Sequence, residues 1–296
     1  MASSFPFISE RDKVGDPPMS AMNFENPRLR RFPHPKSLRL TKRLGSGQDG
    51  FVFKARGYHN ETLAVKIFKP RTPEWYWAFE RECVNAALLD MINASLRRAA
   101  ADGRKKLVIP DPKSREEAFK NLFSFSDEAN TGELCEARLV PISADVQITA
   151  CLGWIEFQGR AINKQLKRAR ICDQEAMIDE QSYYAIVYEF VPQDELDIDT
   201  IVAQHDFFHI IGFHVVPFRE SNWQSCGRLV DFSDLVSPHA GPPEWNSDYY
   251  ARDQESFPRR MAMHSGSSQK LFQEASASIT RFWCEAEELR KHHFNI

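Results

Sequence analysis

The run RLGSGQDGFVFKARGYHNETLAVKIFK, residues Arg43–Lys69, decides how this chain reads. Two short segments of alternating or β-branched apolar residues flank a loop holding Gly45, Gly47 and Gly50, and Lys66 sits near the end of the second segment. Glycine has no Cβ, so a main chain of this composition can turn tightly and bring its N–H groups toward anionic oxygens. Phe51, Val52 and Phe53 read as a returning strand with Val52 placed to pack on a flat base, and Lys66 supplies a cation from the neighbouring strand. The layout points to a phosphate site. The plainer alternative is a β-hairpin carrying a solvated lysine.

A glycine loop followed by G-x-V and, sixteen residues after Gly50, by Ala64-Val65-Lys66 resembles the amino-terminal lobe of protein kinases. The expected fold class is therefore α+β: a protein-kinase-like bilobal fold with a β-rich amino-terminal lobe and a shortened helical carboxy-terminal lobe. In such a lobe a helix after the lysine strand presents a glutamate to that lysine. The stretch PEWYWAFERECVNAALLDMINASLRR has helical spacing, with Trp75, Phe79, Glu82, Ala86 and Leu89 on one stripe. Glu82 is the chosen partner because it shares the apolar face. Glu80 is the rival, and local pairing of either glutamate with Arg81 or Arg97 is the bland reading.

Over 296 residues the chain is 42% hydrophobic and 27% charged, with a formal net charge of -3. That balance gives no support to direct nucleic-acid binding, and the basic clusters RLRR and LKRAR read as solvated faces. Six scattered cysteines without C-x-x-C spacing read as reduced thiols of an intracellular protein. No apolar run is long enough to span a bilayer, and no signal peptide is evident, so a cytosolic or nuclear protein without a membrane partner is expected.

Prolines at 6, 17, 18, 27, 33 and 35 make residues 1–36 read as an irregular or disordered arm. Residues 37–191 read as the amino-terminal lobe, with an insertion near 99–146 that could carry partner specificity. Within that lobe, VQITACLGWIEFQGRAI and YYAIVYEFV read as two strands separated by a charged stretch. Residues 192–296 read as a reduced helical lobe. It holds a helix from about Asp199 and a carboxy-terminal helix whose apolar face includes Leu271, Phe272, Ile279, Phe282 and Leu289.

Kinase-like chains place a catalytic loop H-x-D-x-K-x-x-N before a strand ending in a metal-binding D-F-G. Aligning RLVDFSD on the latter gives Asp231, Phe232 and Ser233, and aligning FRESNW on the former gives Asn222. The catalytic aspartate position then falls on Pro217, the histidine position on Val215 and the lysine position on Arg219. Proline carries no acid–base group, so no catalytic residue is assigned, while Asn222 and Asp231 remain as oxygen ligands for Mg²⁺. Glu220 would need a rearranged loop to replace the base. Ser233, in place of the glycine, makes the loop less permissive. His205, Asp206, His209 and His214 read as helix-face or core-edge residues, with no convincing zinc spacing.

The segments GSGQDGFVFKA, AVKIFKP, FERECVNA, CLGWI and DFFHIIGFHVVPFRESNWQSCGRLVDFSDLVSP together resemble a fungal family of kinase-like proteins described as the Fta-two type subunit of an inner-kinetochore complex. The resemblance covers roughly residues 38–240. It implies a nuclear, centromere-associated scaffold: a pseudokinase working among protein subunits, with ATP and Mg²⁺ as a structural ligand. The nucleotide positions are Gly45, Gly47, Gly50, Val52, Ala64, Lys66, Glu82, Glu189, Val191, Asn222 and Asp231, the last two also as metal ligands. The alternative is a non-standard protein or small-molecule kinase using the retained lysine, asparagine and aspartate.

Overall fold

The computed structural model describes residues 5–71, 76–130, 139–142, 147–171, 177–194, 197–215, 220–241 and 245–246. It is a mixed α+β structure with a large sheet. It divides into two compact units, formed by the described residues within Met1–Ala94 with Thr149–Val191, and within Ser95–Ile148 with Pro192–Ile296.

The first unit is organised by a seven-stranded sheet. In chain order it contains β1 (Ile8–Asp12), α1 (Ala21–Glu25), β2 (Leu29–Arg31), β3 (Arg39–Ser46), β4 (Gly50–Arg56), β5 (Thr62–Phe68), the start of α2 (Ala78–Ala101) and, after residues of the second unit, the remaining pieces that close the sheet. The second unit contributes β6 (Lys106–Val108), α3 (Arg115–Phe123) and β7 (Val140–Ile142) before β8 (Cys151–Gln158), α4 (Gly159–Arg168) and β9 (Ser182–Glu189) return to the first. The sheet order is β1-β2-β8-β9-β5-β4-β3. The run from β8 to β3 is antiparallel throughout, and β1 and β2 join in parallel.

Period-2 alternation sorts β4 and β5 onto two faces. Phe51, Phe53, Ala55, Leu63, Val65 and Ile67 enter one buried cluster, completed by Ile162 and Leu166 of α4. Spaced four apart, those two residues make the apolar side of a helix whose charged residues otherwise hide it. The charged stretch that separates two strands in the sequence is thus in part a helix covering the sheet. Lys66 lies between Val65 and Ile67 and so belongs to the opposite face.

The amino-terminal stretch departs from its reading as an irregular arm. Its prolines sit at breaks between short elements, and what orders it is aromatic burial. Phe5 stacks on Phe7 at 5.2 Å, Phe5 meets Trp77 edge-on at 5.2 Å, and Phe7 meets Phe79 at 5.8 Å. Trp154 Nε1 donates to Ser9 O at 2.9 Å, and Asp90 of α2 pairs with both Lys13 and Arg30. Where β2 joins β8, Gly153 has φ of 121°, and a Cβ there would lie 2.6 Å from Phe32 N, so only glycine fits the junction.

Besides the antiparallel β6–β7 pair, the described residues of the second unit hold α5 (Ile198–Ile210) and two further small antiparallel ladders. β10 (His214–Val215) pairs with β13 (Leu235–Val236), and between them β11 (Trp223–Gln224) pairs with β12 (Arg228–Leu229). The described residues of 99–146, read as an insertion in the first lobe, belong to this second unit instead. Ser114 and Glu117 form a capping box that starts α3. Asn121 then donates to Ile109 O at 2.9 Å and Ile210 O at 2.7 Å, and Arg115 Nε donates to Pro238 O at 2.7 Å. The segment that carries Leu271–Leu289 lies outside the described residues.

Phe7→Ala tests the ordered amino terminus. Phe7 is buried, so its truncation is expected to cost about 3–5 kcal/mol in denaturant unfolding. An irregular arm would give a change within about 0.5 kcal/mol.

Candidate functional site

On β5, Lys66 lies directly opposite Val52 of β4 and Ile186 of β9, and Ala64 lies opposite Lys54 and Tyr188. Residues opposite one another share a face. Val52, Ala64, Lys66 and Tyr188 therefore occupy one side of the sheet, away from α4. Glu189 pairs with Leu63 and belongs to the other side, where its Oε1 accepts from Ala150 N at 2.6 Å. Val191, two residues on, is buried at the end of this unit.

The stripe on α2 brings Glu82 onto the lysine face. Glu82 is 0% exposed and Lys66 7%. Lys66 Nζ donates to Glu82 Oε2 at 2.7 Å, and the Tyr188 hydroxyl donates to Glu82 Oε1 at 2.6 Å. Each carboxylate oxygen thus holds one strong donor, the condition for keeping a charge out of water. Glu80, the rival, is half-buried and takes no part in this pair. In the sequence Tyr188 falls with Glu189, Phe190 and Val191 where a kinase-like fold is expected to change lobes, and nothing there marks it as a partner of Glu82. Its role depends on Ala64 being small enough to sit opposite it, which no motif signals.

The groups packed around the pair stay neutral. Burial, reinforced by the Glu82 charge, pushes the Tyr188 phenol well above its ordinary value. Burial pushes the Cys83 thiol well up and the Cys151 thiol up to about 12. Both cysteines are free.

The glycine loop is a tight end to the β3–β4 hairpin, closed by Gly47 N donating to Gly50 O at 2.9 Å, with Lys69 N donating to Asp49 O at 2.9 Å. None of its three glycines has positive φ. Gly50 is required for a packing reason, because a Cβ would lie 2.1 Å from Ile67 O. At Gly45 and Gly47 a Cβ would meet nothing within 4 Å. The requirement for glycine at position 50 is thus met by the neighbouring strand, while 45 and 47 are open to approach.

In the second unit, Asn222 ends a 3₁₀ turn (Glu220–Asn222), and its carbonyl accepts from Val230 N at 2.8 Å. Its side-chain amide donates to Asp234 rather than meeting the aligned Asp231. Asp231 caps the turn Phe232–Asp234, its Oδ1 accepting from Ser233 N at 3.1 Å and from the Ser233 hydroxyl at 2.5 Å. Ser233 therefore fixes the carboxylate beside it. Asp234 is the residue missed in sequence; its only signal is a second aspartate in DFSD. Asn222, Asp231 and Asp234 are oxygen donors of the kind a hard cation takes. Among the described residues no group of three or more His, Cys, Asp or Glu side chains is arranged to hold a metal ion.

Val215 is buried on β10. Residues 216–219, with Pro217 and Arg219, lie outside the described residues, and nothing is described of the Glu220 side chain. His205 and His209 are buried on α5, and His214 on β10 packs its ring 5.5 Å from Trp245. Burial raises the Asp206 carboxyl. Among the described residues no helix is long and apolar enough to cross a membrane.

Comparison of the chain with protein-family models and with curated proteins gives no match.

Two substitutions test the buried charge. Lys66→Met leaves Glu82 without its ammonium and is expected to destabilise by about 3–5 kcal/mol at neutral pH. Tyr188→Phe keeps the ring and removes one charge-assisted bond, at about 1.5–3 kcal/mol. An acid whose folded value is raised holds its proton after the unfolded chain has lost it. Its stabilising contribution is therefore full below the unfolded value and falls as pH rises beyond it. Melting temperature should decline above the ordinary thiol value of 9.0, and further above the phenol value of 10.0. Tyr188→Phe should flatten the second part of that decline.

Proposed function

We propose that this chain is a protein-kinase-like pseudoenzyme that works as a scaffold or interaction subunit and binds ATP as a structural ligand. The observation that carries the reading is the buried Lys66–Glu82 pair, formed between the central strand of an antiparallel run β3-β4-β5-β9-β8 and the helix that follows that strand. In phosphoryl-transfer proteins of this kind the same pair orients the lysine toward phosphate. Small ladders that bracket Asn222 and the DFSD turn in the second unit add to it. Pro217, standing where the catalytic base belongs, argues for binding without turnover.

The fit of a nucleotide to the first unit rests on Gly45 and Gly47, which leave the backbone open, on Val52 and Ala64 as a flat apolar patch, and on Lys66 for the phosphates. Mg²⁺ would take Asn222 and Asp231 as oxygen ligands. When bound, the nucleotide supplies phosphate charge to balance Lys66 and adds to stability of the folded state. The setting implied by the family resemblance is an inner-kinetochore assembly in the nucleus. A second reading, a non-standard kinase, is favoured by the Lys66–Glu82 pair being fully formed.

A thermal-shift titration with ATP and Mg²⁺ tests this. Ligand at about a hundred times its dissociation constant adds roughly 2.7 kcal/mol, which is expected to raise the melting temperature by roughly 5–10 °C. Gly47→Val should weaken the shift without altering the melting temperature of the free protein. No shift at any ATP concentration would sink the proposal. Transfer of labelled γ-phosphate that is lost in Asp231→Ala would favour the kinase reading instead.

A further inference from the structure

The β3–β4 hairpin carries a concentration of positive charge that none of its described contacts neutralises: Lys54 Nζ stands 4.2 Å from the centroid of the Phe190 ring, and Arg56 Nη1 donates to Asn60 O and Thr62 Oγ1, all uncharged partners. Arg39 of β3 lies directly opposite Arg56 of β4, and Lys42 lies directly opposite Lys54. Like charges placed directly across a strand pair are destabilising. Here two such pairs follow one another on the same face, the one turned away from α4. Arg39, Lys42 and Arg56 are exposed and Lys54 is half-buried. Among the described residues no carboxylate forms an ion pair with any of the four.

Lysines on an edge strand often serve to block edge-to-edge pairing. That accounts for β3, which is the last strand of the sheet. Edge blocking does not extend to Lys54 and Arg56, because β4 is an interior strand hydrogen-bonded to both β3 and β5, and their contacts to Phe190, Asn60 and Thr62 leave the opposed charges unbalanced.

The turn that follows Arg56 carries a group of rings, anchored where His34 meets Phe32 of the cluster beneath α4 edge-on at 6.4 Å. The turn from β4 to β5 is closed by Gly57 N donating to Glu61 O at 3.0 Å, and is braced by Arg56 Nη1 donating to Asn60 O at 3.1 Å. It presents Tyr58, 62% exposed, stacked on His34 with centroids 4.9 Å apart and planes 25° from parallel. His59 meets Tyr58 edge-on at 4.7 Å. The nearest carboxylate in the turn, Glu61, is held inward by accepting from His59 N at 2.7 Å.

We infer that this end of the hairpin, from the Lys42–Lys54 pair to the Tyr58–His34 stack, binds single-stranded nucleic acid. Phosphodiester groups lie between the opposed cations and relieve their repulsion, and an unpaired base stacks on Tyr58. An acidic peptide would satisfy the cations but gain nothing from an exposed aromatic stack, whereas every base offers a π-face to it. A duplex keeps its base faces covered, so the same surface favours the single strand. The net charge of -3 hides this surface because its residues are dispersed from position 34 to position 58.

Fluorescence anisotropy of the full chain tests the inference, using labelled oligothymidylate and oligouridylate of about 20 nucleotides, the matching duplex, and a polyglutamate peptide. Both single strands are expected to bind more tightly than the duplex or the peptide, and affinity should fall steeply between about 50 and 200 mM salt. Arg39→Gln with Arg56→Gln should weaken binding at least about tenfold and make the slope of log affinity against log salt shallower by about 1.4. Lys42→Gln reads the same face without touching the turn and should lower that slope by about 0.7. Tyr58→Ala should weaken binding about fivefold or more with the slope unchanged. Lys42→Gln relieves one like-charge pair and should leave the melting temperature unchanged or raised, and because Arg56→Gln also removes the donor to Asn60 O, Lys42→Gln and Tyr58→Ala decide the outcome if the double variant melts lower. Absence of binding to both single strands, equal affinity for polyglutamate, or binding unchanged in all the variants would overturn the inference.

Discussion

Glu82 is a carboxylate wholly removed from water, and the first unit is arranged so that this is tolerable. An ion moved into a low-dielectric interior loses hydration worth several kcal/mol, which only close and complete pairing offsets. The ammonium of Lys66 and the phenol of Tyr188 take one oxygen each. This fixes the register of β9 against β5, since Tyr188 must sit across from Ala64, and it fixes the rotation of α2, since Glu82 must face the sheet. The neutral thiols of Cys83 and Cys151 and the raised phenol leave Lys66 and Glu82 as the charged couple at this point. The Lys13 and Arg30 contacts to Asp90 hold the same helix from its outer side.

In the glycine loop one sequence pattern covers positions with different packing demands. Gly50 is demanded by the backbone of β5, which passes too close for any Cβ. At Gly45 and Gly47 a Cβ would meet nothing within 4 Å, so the described neighbours make no such demand there. In the second unit, Asp231 holds Ser233 through the same carboxylate oxygen, which accepts from both its N–H and its hydroxyl, and the amide of Asn222 turns to Asp234.

Much of the candidate site was legible because it is written in local periodicities. Alternation along β4 and β5 put Lys66 on the face opposite Val65, and helical spacing put Glu82 with Phe79 and Ala86. What was not legible depends on partners distant in sequence. Residues 5–36 contain too few periodic apolar positions to suggest order, yet Phe5 and Phe7 find Trp77 and Phe79 some seventy residues away. The helix after β8 is masked by four basic residues, and its two apolar anchors acquire meaning only over the cluster formed by β4 and β5. Residues 99–146 read as an insertion in sequence because partners of Arg115 and Asn121, the carbonyls of Pro238 and Ile210, lie about ninety to a hundred and twenty positions further along the chain.

The sequence by itself determined an α+β chain, a glycine-closed hairpin leading to a lysine strand, and a helix presenting a buried glutamate, because each follows from spacing within a dozen residues. Only the tertiary structure decided that Glu82 rather than Glu80 meets Lys66, that Tyr188 completes the pair, that Asp234 rather than Asp231 meets Asn222, and that four cations oppose one another across β3 and β4. Those outcomes depend on strand register and helix rotation. Both are set by burial across long stretches of chain, which a linear pattern does not encode.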